Sequence, residues 1–518
     1  MKKTLLASLA LLLGWGGTAF AQTGTDALRY SQLGISGTAR IQGIGGAQTA
    51  LGADITNIAG NPAGLGMFRR SEFSITPGIQ YNTTETGTGD GNFTDERNIF
   101  SVPQMGLVLS KRRGDDDTND WRGVNLGIGF TRLNNFNQQL RYTNTTEAPN
   151  TIVDYFADQA NINGRTESSL IDEVDNTGIT SLAGLAYSTF LIEFWDVERG
   201  EATNYANPLY SYGAIGQLEE IQRRGSQNQL DIGVGTSYKD KIYLGASLGI
   251  ITSNFTQESI FRESGDYVIA FDEENQGIPG QYNLTLRDEF TTRGAGINLK
   301  VGVIARPVDA LRLGLSIQTP TAYNFTDDYQ RSLSATSVDP DTGVPGTYSD
   351  AELPGEFNYR LTTPFRATGG VAYFIGKYGF ITADAEFVNY GGMRFSEDNE
   401  FGSSSGYFTD VNNSISDTYQ SAVNFKIGAE GRYEAFRFRA GYAHSGDPYK
   451  SNDLDGSIKA YTLGAGIRLQ NYFVDLAYVN SNQATRYSPY TFSSGGGEPI
   501  VDMKNRQSTA LLTVGFNF

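Results

Sequence analysis

The chain ends in Gln507-Ser508-Thr509-Ala510-Leu511-Leu512-Thr513-Val514-Gly515-Phe516-Asn517-Phe518, and this stretch decides the fold. Side chains alternate faces along a strand, so Ala510, Leu512, Val514, Phe516 and Phe518 form an apolar face. Gln507, Thr509, Thr513, Gly515 and Asn517 form a polar or small one. The split recurs upstream. Val124, Leu126, Ile128 and Phe130 oppose Asn125, Gly127, Gly129 and Thr131; Leu311, Leu313, Leu315 and Ile317 oppose Arg312, Gly314, Ser316 and Gln318. Val423, Phe425, Ile427 and Ala429 oppose Asn424, Lys426, Gly428 and Glu430, and Phe436 and Phe438 oppose Arg437 and Arg439. A soluble barrel buries its apolar face. Here the second face carries Arg, Lys, Glu and many Gly, which suits a polar lumen and an apolar exterior.

Working outward, about fourteen such segments lie between Ser71 and Phe518. They are expected at 71–82, 96–111, 121–140, 226–239, 240–257, 284–306, 309–326, 355–376, 378–395, 419–433, 434–447, 458–470, 471–483 and 504–518. Their connections alternate in length. One set is a few residues long, as in Lys239-Asp240, Arg306-Pro307-Val308-Asp309, Gly376-Lys377-Tyr378-Gly379 and Gln470-Asn471, with the acidic turn from Lys111 to Asp120 as its longer member. The other set runs from roughly ten to more than eighty residues, the asymmetry of short periplasmic turns and long extracellular loops. The fold class is therefore all-β: a 14-stranded antiparallel transmembrane β-barrel.

Composition agrees. Lys2-Lys3, an apolar core from Leu5 to Leu13 and Ala19-Phe20-Ala21 read as a secretory signal over 1–21. That core is too short to span, and no later stretch approaches roughly 18 apolar residues. A mean hydropathy of −0.34 is no objection, because a barrel needs apolar residues only at alternate strand positions. Without Lys2 and Lys3, 38 basic residues face 57 acidic ones, a formal charge of −19 that disfavours nucleic acid as a partner. Much of the acid falls in loops, as in Asp115-Asp116-Asp117, Asp327-Asp328, and Asp453 with Asp455, without calcium-loop spacing. Aromatic residues at strand ends (Tyr81, Tyr238, Tyr243, Tyr373, Tyr378, Phe380, Tyr433, Tyr472) fit interfacial girdles.

Two segments are not strands. Residues 22–70 are rich in Gly and Ala, carry one short helical candidate near Asp26–Leu33, and include the apolar residues Ile41, Ile44, Leu51, Ile55 and Leu65. Small residues let a backbone approach a barrel wall closely, and the apolar residues favour an N-terminal hatch in the lumen over a disordered periplasmic tail. The longest loop, about 141–225, shows helical spacing at Ile152, Val153, Tyr155, Phe156 and Ala160, and again at Leu182, Leu185, Ala186, Phe190 and Phe194. These helices are expected to cap the barrel mouth or to pack on each other. The remainder, 71–518, is expected to be barrel and loops.

Gly60-Asn61-Pro62-Ala63-Gly64-Leu65 is where the chain resembles a known family, the FadL/TodX-like outer-membrane transporters of long-chain fatty acids and aromatic hydrocarbons. Signal, small hatch with Asn-Pro-Ala, and fourteen strands follow in the family's order along the whole mature chain. The tripeptide alone is weak; its place ahead of the strands makes the match specific to the fold. The resemblance implies passive uptake of hydrophobic compounds, hatch gating, and lateral exit into the Gram-negative outer membrane at a kinked strand. Asn61, Pro62 and Ala63 carry over, with a structural or a gating role open. Asn134-Asn135, after Phe130, break the apolar face of the third strand and mark the expected lateral gap. Ligand-lining residues are not legible. The implied partners are fatty acids or hydrocarbons, membrane lipid and lipopolysaccharide.

Other chemistry is sparse. There is no cysteine, one histidine (His444, expected at a solvated strand end), no phosphate loop and no nucleophile elbow, so neither enzyme activity nor a metal or cofactor is expected. Fold alone does not settle function. The alternative is a barrel partner subunit in an outer-membrane protein secretion or assembly complex, with other outer-membrane proteins as partners.

Overall fold

A computed structural model describes residues 23–114, 116–196, 201–271, 277–338, 345–397 and 407–518. The expected signal at 1–21 and the acidic Asp115 lie outside these residues. Two helices come first, α1 (Gly24–Ser31) and α2 (Ala39–Gln42), then two 3₁₀ turns, Ile55–Ile58 and Pro62–Met67. The strands follow: β1 (Glu72–Thr88), β2 (Gly91–Arg112), β3 (Trp121–Asn135), β4 (Gln138–Thr146), β5 (Ile192–Asp196), β6 (Glu201–Pro208), β7 (Ser211–Tyr238), β8 (Ile242–Phe271), β9 (Gly277–Val308) and β10 (Leu311–Gln318). They continue with β11 (Ala322–Val338), β12 (Pro345–Ala351), β13 (Gly355–Thr362), β14 (Arg366–Ile375), β15 (Gly379–Asn389), β16 (Arg394–Glu397), β17 (Ser421–Tyr433), β18 (Phe436–Ser445), β19 (Ile458–Arg468), β20 (Tyr472–Tyr487) and β21 (Val501–Asn517). The described loops also carry α3 (Ile152–Ile162), α4 (Glu167–Asp172), continued by a π turn at Glu173–Thr177, α5 (Leu182–Ser188), a 3₁₀ turn at Tyr390–Gly392, and α6 (Tyr407–Thr418).

The ring runs β1, β2, β3, β7, β8, β9, β10, β14, β15, β17, β18, β19, β20, β21 and back to β1, every pair antiparallel. The C-terminal stretch closes it, with Phe73 opposite Phe516 and Ile79 opposite Ala510. This is the 14-stranded transmembrane barrel read from the sequence. Exposure settles which face is outside. Along β20, Tyr472, Val474, Leu476 and Tyr478 are 52%, 37%, 54% and 48% exposed, while Phe473, Asp475 and Ala477 between them are buried. A large apolar surface exposed around a closed barrel is matched to lipid rather than to water.

The short turns are tight hairpins. In Lys239-Asp240 both residues have positive φ (55° and 53°), as a type I′ turn requires. Asp240 is held by both guanidinium nitrogens of Arg112 (3.0 and 2.7 Å).

The long connections differ from expectation. Much of what reads as loop at 83–95, 258–283 and 327–354 is strand continuing past the membrane belt. β1 and β2 pair to Thr88↔Gly91, and β8 and β9 pair to Phe271↔Gly277. Polar alternation in water carries no apolar signal, so the sequence reading stops where the belt stops. The expected strand 355–376 is interrupted between Thr362 and Arg366, and 309–326 between Gln318 and Ala322, each at a Thr-Pro step where Pro removes a ladder donor. The expected loop 141–225 narrows, because β4 and β7 take its ends. Its first helix is α3. Its second ends at Ser188: Phe190 has φ +55° and Phe194 lies on β5. Tyr243 and Phe380, expected in the girdles, face inward and are buried, as register on β8 and β15 requires.

α3, α5 and β5 pack on one another and on the outer extensions of β7, β8, β9 and β11, with Tyr490 and Phe492 from the last loop. Within this core Glu263 accepts bonds from Ile152 N (2.9 Å), Gln217 Nε2 (2.6 Å) and Tyr282 OH (2.9 Å). It lies about 40 Å along β8 beyond the last belt residue Ile250. Burial pushes its carboxyl up to about 7.

Candidate functional site

Residues 38–68 form a body packed against the lower inner wall. Asn61 is fully buried. Its Oδ1 accepts from Ala63 N (3.2 Å), capping the turn that Pro62 begins, and its Nδ2 donates to Thr49 O (2.7 Å) and to Val303 O of β9 (3.3 Å). The tripeptide therefore joins hatch to hatch and hatch to wall. The wall is cut to fit. A β-carbon on Gly302 would overlap the Asn61 carboxamide, and one on its cross-strand partner Gly245 would overlap the Pro62 carbonyl. Gly314, Gly428 and Gly441 make the same room for the backbone of Thr49, Ile44 and Gly45.

Polar wall groups finish the seat. Asp384 accepts from Gln48 N, Thr49 N and Thr49 Oγ1 (2.8, 2.9 and 2.8 Å). Asn125 Nδ2 donates to Leu65 O and Phe68 O (2.6 and 3.1 Å), and Ser247 Oγ to Ile58 O (2.8 Å). On the inner face of β17, β18 and β20, Arg439 joins Glu430 (2.8 Å) and Asp475 (2.6 Å), all three buried, so these charges offset one another.

α1 is held differently. Thr23 and Asp26 form a capping box at its start, and Asp26 pairs with Arg29. Asn134 Nδ2 donates to Gln32 O (2.9 Å) at its C-terminal cap and to Gln227 Oε1 (3.1 Å); Gln227 Nε2 donates to Tyr30 O (3.2 Å); Arg366 donates to Ser31 O. These are side chains reaching to helix-end carbonyls that have no partner within the helix.

Around α1 lies a chamber lined with aromatic rings. Tyr30 sits against Phe325 (centroids 4.5 Å) and edge-on to Phe136 (5.9 Å); Phe136 meets Phe255 (5.7 Å), and the Arg29 guanidinium lies 3.9 Å over the Phe255 ring. α6 contributes Phe408, Val411 and Ile415 to the same cluster and packs on α1.

The wall changes character beside the chamber. β2 and β3 pair only between Gln104↔Thr131 and Arg112↔Gly123. Above Thr131, β3 bulges at Arg132–Asn134, ends at Asn135, and resumes as β4, which pairs β7. Among the described residues no backbone ladder joins β2 to β4. Instead β4 laps behind the β1–β2 hairpin. Asn82 Nδ2, Thr86 Oγ1 and Thr88 Oγ1 of β1 donate to the carbonyls of Asn137, Arg141 and Thr143 (2.6, 2.5 and 2.6 Å). Asn135 Nδ2 donates to Gln80 Oε1 (3.0 Å) at the foot of this seam. The two asparagines singled out in the sequence thus stand at one break, Asn134 facing the hatch helix and Asn135 the seam. Sequence reading missed Asn82, Thr86, Thr88, Gln227 and Arg366, which are ordinary polar strand residues until register places them.

A plugged fourteen-stranded barrel with an aromatic inner chamber is the class this geometry defines. No protein-family model matches the sequence, and no curated protein matches it. Among solved structures, a Pseudomonas aeruginosa FadL homologue is 12% identical over 94% of this chain and 100% of that one, with a TM-score of 0.54. The Pseudomonas putida toluene transporter TodX is 15% identical over 94% and 99%, with a TM-score of 0.48. The chain has the fold of the FadL homologue, as its Asn-Pro-Ala segment led one to expect.

Proposed function

We propose that the protein is a channel of the Gram-negative outer membrane for passive uptake of hydrophobic compounds, long-chain fatty acids or hydrocarbons. Its hatch body stays seated, α1 withdraws, and the compound leaves sideways through the seam between β2 and β4. The observation that carries this reading is the joining of two features: an aromatic chamber inside a plugged barrel, and a wall beside it held by side chains instead of a backbone ladder. An apolar solute gains nothing from an aqueous pore. A route from chamber to lipid spares it rehydration, roughly 0.8 kcal/mol for each methylene kept from water.

In this reading Asn61, Pro62 and Ala63 are the anchor of the hatch, Asn134 is the catch that holds α1, and Asn135 stands beside the exit. The apolar exterior meets lipid, with lipopolysaccharide around the outer extensions. The test is uptake of labelled oleate and toluene by cells lacking the chain and by cells complemented with it. Restored uptake supports the channel; equal uptake in both refutes it. Unchanged uptake with stoichiometric recovery of other outer-membrane proteins after gentle extraction would favour the partner-subunit alternative.

A further inference from the structure

The seam carries two arginines that lack counterions. On the outer extensions Arg262, Arg287, Arg293 and Arg486 each pair with a carboxylate, as suits a chain with an excess of acid. Arg97 of β2 and Arg224 of β7 differ. Among the described residues neither joins a carboxylate, and Arg224 donates to the amide oxygen of Gln222. The two stand at one level. Arg97 lies opposite Asn82 on β1. Asn82 Nδ2 donates to Asn137 O (2.6 Å), and Asn137 Nδ2 donates to Gly225 O (3.1 Å), next to Arg224. β3, which separates β2 from β7 lower down, has ended at Asn135, so both arginines border the gap it leaves. Burial and then the charge of Arg224 hold the half-buried Arg97 guanidinium below the ordinary arginine range. The height fits a lipid headgroup. Phe100, three residues nearer the belt, is 69% exposed, and Arg97 lies about 10 Å beyond it along β2. With strands tilted by about 45° that is about 7 Å of height, inside a headgroup layer roughly 5–8 Å deep.

We propose that Arg97 and Arg224 form a binding site for a phosphate monoester, filled in the membrane by the headgroup phosphate of an outer-leaflet glycolipid. A planar guanidinium presents paired donors that match phosphate oxygens, and an anion between two guanidinium groups replaces their repulsion with attraction. The bound headgroup bridges β2 and β7 where no backbone ladder joins the wall. The site stands on charge and position and does not rest on the channel reading. Within that reading the headgroup is a clamp on the exit.

The test is native mass spectrometry of the full-length protein in mild detergent, titrated with diphosphoryl lipid A, with the same lipid stripped of its phosphates, and with inorganic phosphate. The parent should bind diphosphoryl lipid A at least tenfold more tightly than the dephosphorylated lipid. Arg97→Gln with Arg224→Gln should abolish that preference and leave the temperature of the folded-to-unfolded band shift on gels unchanged. Arg262→Gln with Arg287→Gln removes the same charge from arginines that already have partners, and should keep the preference. Equal binding of the two lipids by the parent, a preference that survives Arg97→Gln with Arg224→Gln, or an equal loss in both double variants overturns the proposal. Should the seam double variant fail to fold, Arg224→Gln alone, at an exposed position, carries the test. The preference should then fall at least threefold, and an unchanged preference overturns the proposal. Inorganic phosphate in tenfold excess should displace less than half of the bound lipid. Full displacement identifies a free anion as the ligand and overturns the glycolipid assignment. The readout is binding, so its failure leaves the channel reading standing, and failed uptake in cells leaves this site standing.

Discussion

The hatch body and the helix that precedes it are neighbours in sequence and opposites in construction. The body, from Thr38 to Phe68, sits with its backbone against wall glycines such as Gly245, Gly314 and Gly428, where no side chain fits between the two chains. Moving it would strip bonds from Asp384, Asn125 and Ser247 at once. α1 rests among rings and is tied by a few side chains from the wall. Close packing of backbone on backbone makes a fixture. A short helix bound through rotatable side chains has fewer contacts to give up, and in the channel reading it is the part that moves.

The strongest way to break this comparison is to attack the fixture. Gly302→Val puts a branched side chain where the Asn61 carboxamide lies, and the hatch backbone behind it cannot yield. Overpacking of this kind costs about 3 kcal/mol. The expected outcome is a lower temperature for conversion of the folded to the unfolded band on gels, together with leak of small polar solutes through the barrel. An unchanged conversion temperature with no leak would mean that the hatch is not seated as described.

Asn61→Ala should have the next largest effect. It leaves Thr49 O and Val303 O without the carboxamide donor and removes the cap on Ala63 N, which together cost about 2 kcal/mol. Asn134→Ala sharpens the contrast, since it removes the same kind of bond from Gln32 O at the end of α1. It should leave the global stability within about 1 kcal/mol of the parent, read as a nearly unchanged conversion temperature. It should also raise maleimide labelling of an Ala27→Cys reporter about tenfold, a local opening of about 1.4 kcal/mol. Equal global losses from the two asparagines would dissolve the distinction between fixture and latch.

The sequence makes the fixture more legible than the latch, for physical reasons. Strand alternation needs only a period of two, so Ala510 to Phe518 yields both the fold and its outward face. Asn-Pro-Ala marks a capped turn wherever it occurs. That Gly245 and Gly302 stand side by side under that turn depends on the pairing of β8 with β9, which no local pattern states. α6 is hidden for another reason. Tyr407-Phe408-Thr409-Asp410-Val411-Asn412-Asn413-Ser414-Ile415-Ser416-Asp417-Thr418 is rich in weak helix formers, and its helix rests on burial of Phe408, Val411 and Ile415 at spacings of three and four. The outer strand extensions escaped because in water both their faces tolerate polar residues. The chamber is assembled from α1, α6 and five strands (β8, β9, β11, β13 and β16), each contributing a ring or two, and none of these rings is distinguishable in sequence from a girdle aromatic.

The seam gives the smallest effect and the finest test of whether the moving region extends to the wall. Thr86 and Thr88 each donate one hydroxyl to a carbonyl of β4, in place of the ladder that β2 and β3 form lower down. Thr86→Val with Thr88→Val keeps shape and strand preference while deleting both donors, at about 1 kcal/mol apiece. Because the seam carries no backbone ladder, that loss should fall on its closure and not on the ring, so folding should change little. If the exit runs through the seam, uptake of a hydrophobic compound should rise by about a factor of two, while labelling of Ala27→Cys stays at the parent rate. A lower uptake, or a faster release of α1 with no change in uptake, would mean that the lapped strands brace the chamber and that the compound leaves elsewhere.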